Sequence, residues 1–510
     1  MDRLVVVSNR VPLPSSGQQA GGLAVALDGL MAKRGGLWFG WSGRVAQGAH
    51  SADPMIESAG AVDYVTVDLT QDEHDRYYNN FSNGVLWPLL HTMPELMRFD
   101  RRDARSYAAV NTRLAATLAK LLRPSDLIWV HDYHLLLLPA ALRALGVTNP
   151  IGFFLHIPFA APDVLAAAPE VANLVRDLLA ADLIGFQTDN DMANFAAAAQ
   201  TLAGAVRLSA SSLMLGGRRI RLGVFPVEIE AHSFARMAAE MECSESSERL
   251  RRSLDGQALI LGIDRLDPTK GLMQRLGGLR ALLEKHPAWN RRVTMLQIAA
   301  MSRKDVGSYR SLRDALDSEA GCLNADIGEP DWSPLRLVSK ASLRPTVSGF
   351  MRLARVGLVT PLRDGMNLVA KEFVAAQNPA DPGVLILSRF AGAARQLDAA
   401  LLVNPHDADA MADAMDTALT MGLAERQTRW RALWAAIENR SPVLWGRSFV
   451  ASLLRARASA GRQRIPLERF VIGEALPATA PVALPPLTGL ATPHLSRENT
   501  TPPIDRRRLN

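Results

Sequence analysis

Short runs of aliphatic and aromatic residues alternate along the chain with longer stretches rich in alanine and leucine. In the first half, the short, strand-like runs are Leu4–Val7, Leu37–Gly40, Leu127–Val130, Ile151–Leu155, Leu183–Phe186 and Ile220–Phe225. Stretches long enough for a helix lie between them at Gly22–Lys33, Ser106–Leu122, Leu135–Leu145 and Asp189–Leu202. Strands that alternate with helices are typical of parallel βαβ units, in which helices cover both faces of the sheet.

The same alternation begins again after a polar, helix-compatible stretch at Ser233–Asp255. The second series of strand-like runs is Leu259–Ile263, Thr294–Ile298, Val356–Thr360, Val384–Leu387 and Ala400–Val403. The helix-like stretches of this series are Arg275–Glu284, Val306–Glu319, Leu368–Ala376 and Ala408–Met421. Two successive series predict an α/β fold with two Rossmann-like, doubly wound domains and a cleft between them.

The predicted domains are residues 1–230 and 231–440, and a length of 510 residues agrees with more than one domain. A further helix, over about residues 441–458, is expected to pack back on the first domain. Of the last 46 residues, eight are proline and very few are aromatic. A segment of this composition cannot bury enough apolar surface to order itself, so residues 461–510 are predicted to be a disordered tail.

The formal net charge of +6 raises the question of a nucleic-acid partner. From Arg455 onward, however, nine arginines stand against four acidic residues, so the rest of the chain is close to neutral. A nucleic-acid-binding surface needs basic residues on the folded body, and that partner is therefore disfavoured. No uncharged apolar run approaches the roughly 18 residues of a membrane span, and the N-terminal run Leu4–Val7 is too short for a secretory signal. Cys243 and Cys322 are too few for a disulfide framework, which predicts a cytoplasmic protein.

Polar segments follow the predicted strands of the first domain, where open parallel sheets bind their ligands. Ser8–Arg10 follows the first strand, and Gly21-Gly22 opens the next helix, whose N–H groups and dipole favour a phosphate. Asp132, which lies between two histidines, and His156 follow two later strands. We favour a contact with sugar hydroxyls for Asp132, because carboxylates accept such hydrogen bonds strongly. A metal site with the two histidines is the alternative.

Cationic and acidic side chains follow two strands of the second domain. Arg265 and Lys270 come directly after one strand. The planar guanidinium of arginine can donate to two phosphate oxygens at once, and the lysine ammonium is a compact point charge, so the two together suit a diphosphate. Asp364 lies in a glycine-containing turn, and a helix is expected to start near Asn367, with its first N–H groups available to an anion. Glu372, further along this helix, is suited to a ribose diol. Neither segment is a Walker P-loop.

With these segments in view, the sequence resembles the bacterial trehalose-6-phosphate synthases (UDP-forming). This family comprises retaining glycosyltransferases with two facing Rossmann domains, the GT-B fold. The resemblance extends over roughly residues 3–455 and rests on the strings LVVVSNR, AGGLAV, GGLWFGWSG, YYNNFSNGVLWP, WVHDYHLL, IGFFLHIPF, DRLDPTKGL and GLVTPLRDGMNLVAKEFVAAQ. It implies transfer of glucose from UDP-glucose to glucose 6-phosphate, which yields α,α-trehalose 6-phosphate and UDP.

The resemblance also implies a role for individual residues. Those implied at the reacting centre are Asp132, His156, Arg265, Lys270 and Asp364. The donor UDP-glucose would contact Gly21, Gly22, Arg265, Lys270, Asp364, Gly365, Met366, Asn367, Leu368, Val369, Ala370, Lys371 and Glu372. The acceptor glucose 6-phosphate would contact Arg10, Tyr78, Trp87, Asp132 and Arg303, and anomer selectivity would involve Trp87 and Ile157. No metal or other cofactor is expected, and the family implies a homo-oligomer, either a dimer or a tetramer.

Three departures from the family pattern concern the nucleotide base and domain closure. Pro268 and Ser342 stand where the family often has an aromatic residue, and Glu228 stands at a linker position that is usually glycine. A related glucosyltransferase with GDP- or ADP-glucose, or with another phosphorylated acceptor, therefore stays open. A non-catalytic regulatory relative is a further alternative. Such a protein is expected to have lost the residues that hold the donor, whereas this sequence keeps Arg265, Lys270, Asp364 and Glu372. An NAD-dependent dehydrogenase is disfavoured, because no GxGxxG motif follows the first strand.

Overall fold

The computed structural model describes residues 2–16, 22–48, 54–301 and 307–460. Over these residues the chain forms one sheet of ten strands and one of six, which confirms the predicted α/β fold. The strands of the first sheet are β1 (Leu4–Arg10), β2 (Gly36–Ala46), β3 (Met55–Ala59), β4 (Val62–Thr70), β5 (Leu127–His131), β6 (Ile151–Phe154), β7 (Leu183–Phe186), β8 (Val206–Ser209), β9 (Ser212–Leu215) and β10 (Arg218–Val224). The strands of the second sheet are β11 (Ala258–Arg265), β12 (Val293–Ala300), β13 (Leu335–Val338), β14 (Val356–Val359), β15 (Val384–Ser388) and β16 (Leu401–Val403).

The first sheet has the order β3-β4-β2-β1-β5-β6-β7-β10-β9-β8. The seven strands from β4 to β10 run parallel, whereas β3, β9 and β8 are antiparallel to their neighbours. The six predicted strands are all present, at β1, β2, β5, β6, β7 and β10. The apolar pattern missed β3, β4, β8 and β9. Of these, β3 and β8 are exposed edge strands with no continuous apolar run.

The second sheet has the order β13-β12-β11-β14-β15-β16, and all of its strands are parallel. Five of them were predicted, and the short edge strand β13 was not. Alternate residues of a central strand serve opposite cores, as β1 shows in the first sheet. Val5 and Val7 pack into one core, and Leu4 and Val6 pack into the other. Strands buried on both faces therefore appear as continuous apolar runs.

Each helix-like stretch that the sequence predicts contains a helix, and the structure adds further helices that were not predicted. The helices are α1 (Gly22–Arg34), α2 (Gln71–Glu73), α3 (Trp87–Leu90), α4 (Arg101–Ala119), α5 (Leu138–Ala144), α6 (Pro162–Leu165), α7 (Val171–Leu178), α8 (Asp189–Ala203), α9 (Ala231–Met241), α10 (Glu245–Leu254), α11 (Leu272–Lys285), α12 (Gly307–Ile327), α13 (Arg344–Leu353), α14 (Leu368–Ala376), α15 (Ala408–Thr420), α16 (Leu423–Ala435) and α17 (Pro442–Ala460). Helix α4 begins five residues before its predicted start, because the Asp100 carboxylate accepts a hydrogen bond from the Arg102 N–H and caps it. A π-helical segment, His74–Leu86, carries the YYNNFSNGVL string.

Helix α17 packs on the first sheet, although the chain reaches it only after the second sheet is complete. The Phe449 ring stacks on Trp129 of β5 with 4.5 Å between ring centroids, and Trp445 Nε1 donates to the Phe225 carbonyl at 3.0 Å. Gly152 and Gly185 make room for this helix. A Cβ atom at either position would lie 2.6 or 2.8 Å from the Phe449 ring. The chain therefore crosses between its two sheets twice.

No helix of the described residues is both long and apolar enough to cross a membrane. The predicted tail, residues 461–510, lies outside the described residues.

Candidate active site

A cavity of about 720 Å³ lies where the carboxyl ends of strands from both sheets meet. Asp132 and His156 follow β5 and β6 of the first sheet, and Lys270 and Asp364 follow β11 and β14 of the second. Most of the residues predicted at the site share this cavity: Trp87, Asp132, His156, Ile157, Arg265, Lys270, Asp364, Met366, Asn367, Leu368, Val369 and Glu372. Two sheets thus contribute polar side chains to one space, as expected for ligands that bind at the ends of parallel strands.

Asp132 and His156 are held by the backbone and by a second histidine. Asp132 adopts a left-handed conformation with φ 75°, which is rare for a residue other than glycine. Its carboxylate accepts a hydrogen bond from the His156 N–H at 3.2 Å, and His156 Nε2 lies 3.0 Å from His131 Nδ1. Burial lowers the pKa of His156 to about 3 and that of His131 well below its usual value. Both imidazoles are therefore neutral near pH 7, and His156 meets the cavity as a neutral hydrogen-bonding group.

The loop that carries Lys270 is organised around Asp267, which is completely buried. The Asp267 carboxylate accepts hydrogen bonds from the Thr269 N–H at 3.0 Å, the Tyr309 hydroxyl at 2.9 Å and Trp87 Nε1 at 3.3 Å. The last of these joins the first domain to the second. Sequence reasoning missed Asp267, because its role depends on partners that are distant along the chain.

Two cations line the cavity here, Arg265 at the end of β11 and Lys270 in the loop that follows it. Lys270 Nζ makes an ion pair with Asp364 Oδ2. Arg265 lies over the ring of Trp87, with 5.8 Å between the guanidinium carbon and the ring centroid. Behind the loop, the buried Arg275 donates to the Lys270 carbonyl at 3.2 Å and pairs with Asp264 at 2.5 Å. Arg275 therefore fixes the backbone of Lys270, and Asp364 neutralises its side-chain charge.

The turn before α14 brings the second sheet against the first. Gly365 lies so close to the backbone of His156 that a Cβ atom there would be 2.1 Å from the His156 carbonyl oxygen. Asn367 has φ 68° and caps the predicted helix, which begins at Leu368. Its Nδ2 donates to Asp364 Oδ2 at 3.0 Å. The first N–H groups of α14 are thus aligned beside the cations, in an arrangement that suits an anionic ligand.

Glu372 of α14 forms part of the cavity wall. Burial raises the pKa of Glu372, and the neighbouring Arg344 opposes that rise. Arg344 Nη2 donates to Glu372 Oε1 at 2.8 Å. Sequence reasoning missed Arg344, and its position just after the unpredicted strand β13 was the available signal.

An aromatic row joins the end of β1 to the cavity. Arg10 is paired with Trp41 in the β1–β2 register, and the Trp41 ring lies 5.4 Å from the ring of Tyr78 on the π-helical segment. The row continues through His134, 5.8 Å from Tyr78, and ends at Tyr133, whose ring lies 5.5 Å from Trp87. Arg10 and Tyr78 do not line the 720 Å³ cavity. A second cavity, of about 960 Å³, adjoins the Trp87 end of this row.

Other predicted site residues lie elsewhere. Gly21 and Arg303 are outside the described residues, and Gly22 begins α1. Gly365, Ala370 and Lys371 do not line the cavity. The Lys371 ammonium is buried and donates to Glu228 and to the Val227 carbonyl instead. In the described part of the chain, no group of three or more His, Cys, Asp or Glu side chains is placed to hold a metal ion.

Two doubly wound sheets that face a shared cavity, with cations at the carboxyl ends of one of them, define the GT-B class of glycosyltransferases. The model of glycosyltransferase family 20 matches residues 3–455. The chain belongs to this family, which confirms the resemblance seen in the sequence.

Relatives and solved structures agree with this assignment. The chain is 44% identical to the trehalose-6-phosphate synthase of Sinorhizobium fredii, over 89% of this chain and 98% of the relative. It is 42% identical to the structure of a UDP-forming α,α-trehalose-phosphate synthase from Burkholderia xenovorans in complex with glucose-6-phosphate, with a TM-score of 0.85 and coverage of 89% and 100%. An Escherichia coli structure bound with UDP-2-fluoro glucose is 43% identical, with a TM-score of 0.85 and coverage of 89% and 99%.

Proposed function

We propose that this protein is a retaining glucosyltransferase that moves glucose from UDP-glucose to glucose 6-phosphate and forms α,α-trehalose 6-phosphate and UDP. The observation that carries the proposal is the shared cavity, in which Arg265 and Lys270 of one domain face Asp132 and His156 of the other. The substrates are inferred from the relatives, of which one holds glucose-6-phosphate and another UDP-2-fluoro glucose.

The domain of residues 231–440 binds the donor in this proposal. Arg265 and Lys270 bind the diphosphate together with the first N–H groups of α14, and Glu372 accepts hydrogen bonds from the ribose. Asp364, which pairs with Lys270 in the structure, exchanges this cation for the donor and contacts the sugar hydroxyls. The negatively charged diphosphate then pairs with Lys270 in place of the Asp364 carboxylate.

The domain of residues 1–230 binds the acceptor. Arg10 and Tyr78 lie at one end of the aromatic row and are assigned to the phosphate of glucose 6-phosphate. Trp87, at the other end, lies beside the acceptor ring and with Ile157 is assigned to anomer selectivity. A role for Arg303 at the acceptor phosphate stays a prediction.

The reaction requires charge stabilisation and positioning more than a protein nucleophile. In front-face attack, the acceptor hydroxyl approaches the anomeric carbon on the side from which UDP departs. The bond to the UDP oxygen breaks as the new glycosidic bond forms, and a diphosphate oxygen accepts the hydroxyl proton. Arg265 and Lys270 stabilise the negative charge that develops on UDP. Asp132 and the neutral His156 orient the sugars. No metal is needed in this proposal, because the two cations supply the positive charge.

Gly365→Ala is expected to lower kcat/KM for the nucleotide sugar by about 10- to 100-fold, equivalent to about 1–3 kcal/mol of overpacking. The added methyl group would collide with the His156 carbonyl and force the two domains apart. Steady-state kinetics with varied donor measure the effect. Gly277→Ala in α11 is the matched control, since a Cβ atom there meets nothing within 4 Å. Equal activity of the two variants would show that the close contact has no part in catalysis.

The proposed function is tested by measuring UDP release from purified protein in the presence of EDTA, with and without glucose 6-phosphate. Release that requires glucose 6-phosphate and yields a non-reducing disaccharide phosphate is the expected result. If nucleotide is released from GDP- or ADP-glucose instead, the assigned donor is wrong, but the protein is still a glucosyltransferase. A folded protein that releases no nucleotide from any of the three donors would favour a non-catalytic relative. We further propose that the protein is cytoplasmic and forms a homo-oligomer. Light scattering of the same preparation would test the oligomeric state.

A further inference from the structure

Arg344 binds one oxygen of the Glu372 carboxylate and leaves the other for a different donor. Its Nη2 and Nε donate to the same atom, Glu372 Oε1, at 2.8 and 3.2 Å. Within the described part of the chain, no hydrogen-bond donor lies on Glu372 Oε2. Both residues line the 720 Å³ cavity. The arginine therefore engages the carboxylate from one side and does not occupy both oxygens as a bidentate pair would.

The guanidinium is itself held in place by a third element. Arg344 is the first residue of α13, and its guanidinium carbon lies 5.0 Å from the ring centroid of Phe234. Phe234 belongs to α9 and is buried in the core that also contains α14 residues. Three helices of the second domain thus meet at this group, and the planar guanidinium is fixed on a ring face. The direction of Glu372 Oε2 is consequently set before any ligand binds.

The charge of the pair also matters for the ligand. Burial favours the neutral form of Glu372, and Arg344 favours the ionised form. In the ionised form that Arg344 favours, the carboxylate only accepts hydrogen bonds, so a ligand with donors such as hydroxyl groups suits it. The neighbouring cations Arg265 and Lys270 suit a diphosphate, which in a nucleotide is attached to a ribose.

We propose that Arg344 is a positioning residue, which orients Glu372 towards the ribose hydroxyls of the bound nucleotide and so makes this site select ribonucleotides over deoxyribonucleotides. This inference rests on the proposed function and deepens it. Arg344 acts through Glu372 and not on the reacting atoms. Its loss should therefore change nucleotide binding and leave the use of glucose 6-phosphate unaffected.

The test compares the affinities of UDP and 2′,3′-dideoxy-UDP for the full-length protein by calorimetry. We expect the wild-type protein to prefer UDP by about 10- to 100-fold, as for a hydrogen bond to a charged group. In Arg344→Met, UDP should bind weaker by a similar factor, and the dideoxy compound should bind nearly as it does to the wild type. Glu372→Gln should lose the preference for UDP over the dideoxy compound in the same way, and Arg344→Lys should retain part of this preference. The KM for glucose 6-phosphate should not change in any variant.

Arg352→Met is the matched control, because Arg352 lies on the same helix and pairs with Glu242, outside the cavity. An Arg344→Met variant that keeps the full preference for UDP, or that loses equal affinity for both compounds, would overturn the inference. GDP and ADP carry the same ribose, so the comparison is repeated with the nucleotide that binds tightest to the wild type. Binding of GDP or ADP in place of UDP would overturn only the donor assignment. Absence of binding to all three would overturn both proposals.

Discussion

Lys270→Ala is expected to lower kcat by about 100- to 1,000-fold, the loss seen when one donor to a developing oxyanion is removed. Lys270 lines the cavity and pairs with Asp364, on a loop held by the buried Asp267 and Arg275. Its removal leaves Arg265 and the N–H groups of α14 to stabilise the departing diphosphate. Single-turnover kinetics with saturating donor and acceptor measure the chemical step directly.

Two comparisons separate this effect from general damage. Lys285→Ala removes a lysine that pairs with the exposed residues Asp409 and Asp413 outside the cavity, and it should keep wild-type turnover. The affinity of the Lys270→Ala variant for glucose 6-phosphate should also be unchanged, since Lys270 is not among the residues assigned to the acceptor. If Lys270→Ala turns over as fast as the wild type, Lys270 does not stabilise the departing diphosphate.

Glu228→Ala is expected to lower the free energy of unfolding by about 3–5 kcal/mol, the cost of leaving a buried charge without its partner. Glu228 is only 5% exposed, and its carboxylate accepts from Lys371 Nζ at 2.6 Å, Gln396 Nε2 at 3.1 Å and Arg440 Nη1 at 3.3 Å. Burial lowers the pKa of Lys371 to about 8, although Glu228 acts to raise it. Urea denaturation monitored by circular dichroism measures the change.

The control for this prediction is the paired variant Glu228→Leu with Lys371→Met. Removal of both charges avoids a buried ion without a partner, so the double variant should be much more stable than either single variant. Additive losses would show that the two side chains act independently. Glu228 is one of the departures from the family pattern expected from the sequence, and the structure shows what its side chain contacts. It ties the linker between the domains to α14 and to the segment before α17.

Local patterns were sufficient to predict the central strands and the segments that carry the site. Most of the six predicted strands of the first sheet, such as β1, β5, β6 and β7, are largely buried on both faces, so their apolar runs are visible without knowledge of their neighbours. The strands that were missed are different. For example, β4 alternates apolar and polar residues, and β8 is exposed along its whole length. Their pairing depends on adjacent strands that already form the sheet, which the local sequence does not record.

The polar segments after the strands were recognised as a site because parallel strands end at one edge of a sheet. Asp132, His156, Arg265, Lys270 and Asp364 were all predicted in this way, and all five line one cavity. The residue types and their positions after strands determined this much. The assignment of glucose 6-phosphate contacts to Tyr78 and Trp87 depended on family resemblance, since neither residue follows a strand.

Tertiary structure alone decided which of these groups are partners. Lys270 pairs with Asp364 across 94 residues, Lys371 with Glu228 across 143, and Trp87 with Asp267 across 180. It turned Lys371 away from the cavity and revealed the support that Arg344 gives to Glu372. The physical reason is that hydrophobic periodicity is a property of neighbours along the chain. An ion pair or a shared hydrogen bond is a property of neighbours in space, and it exists only once the sheets have packed.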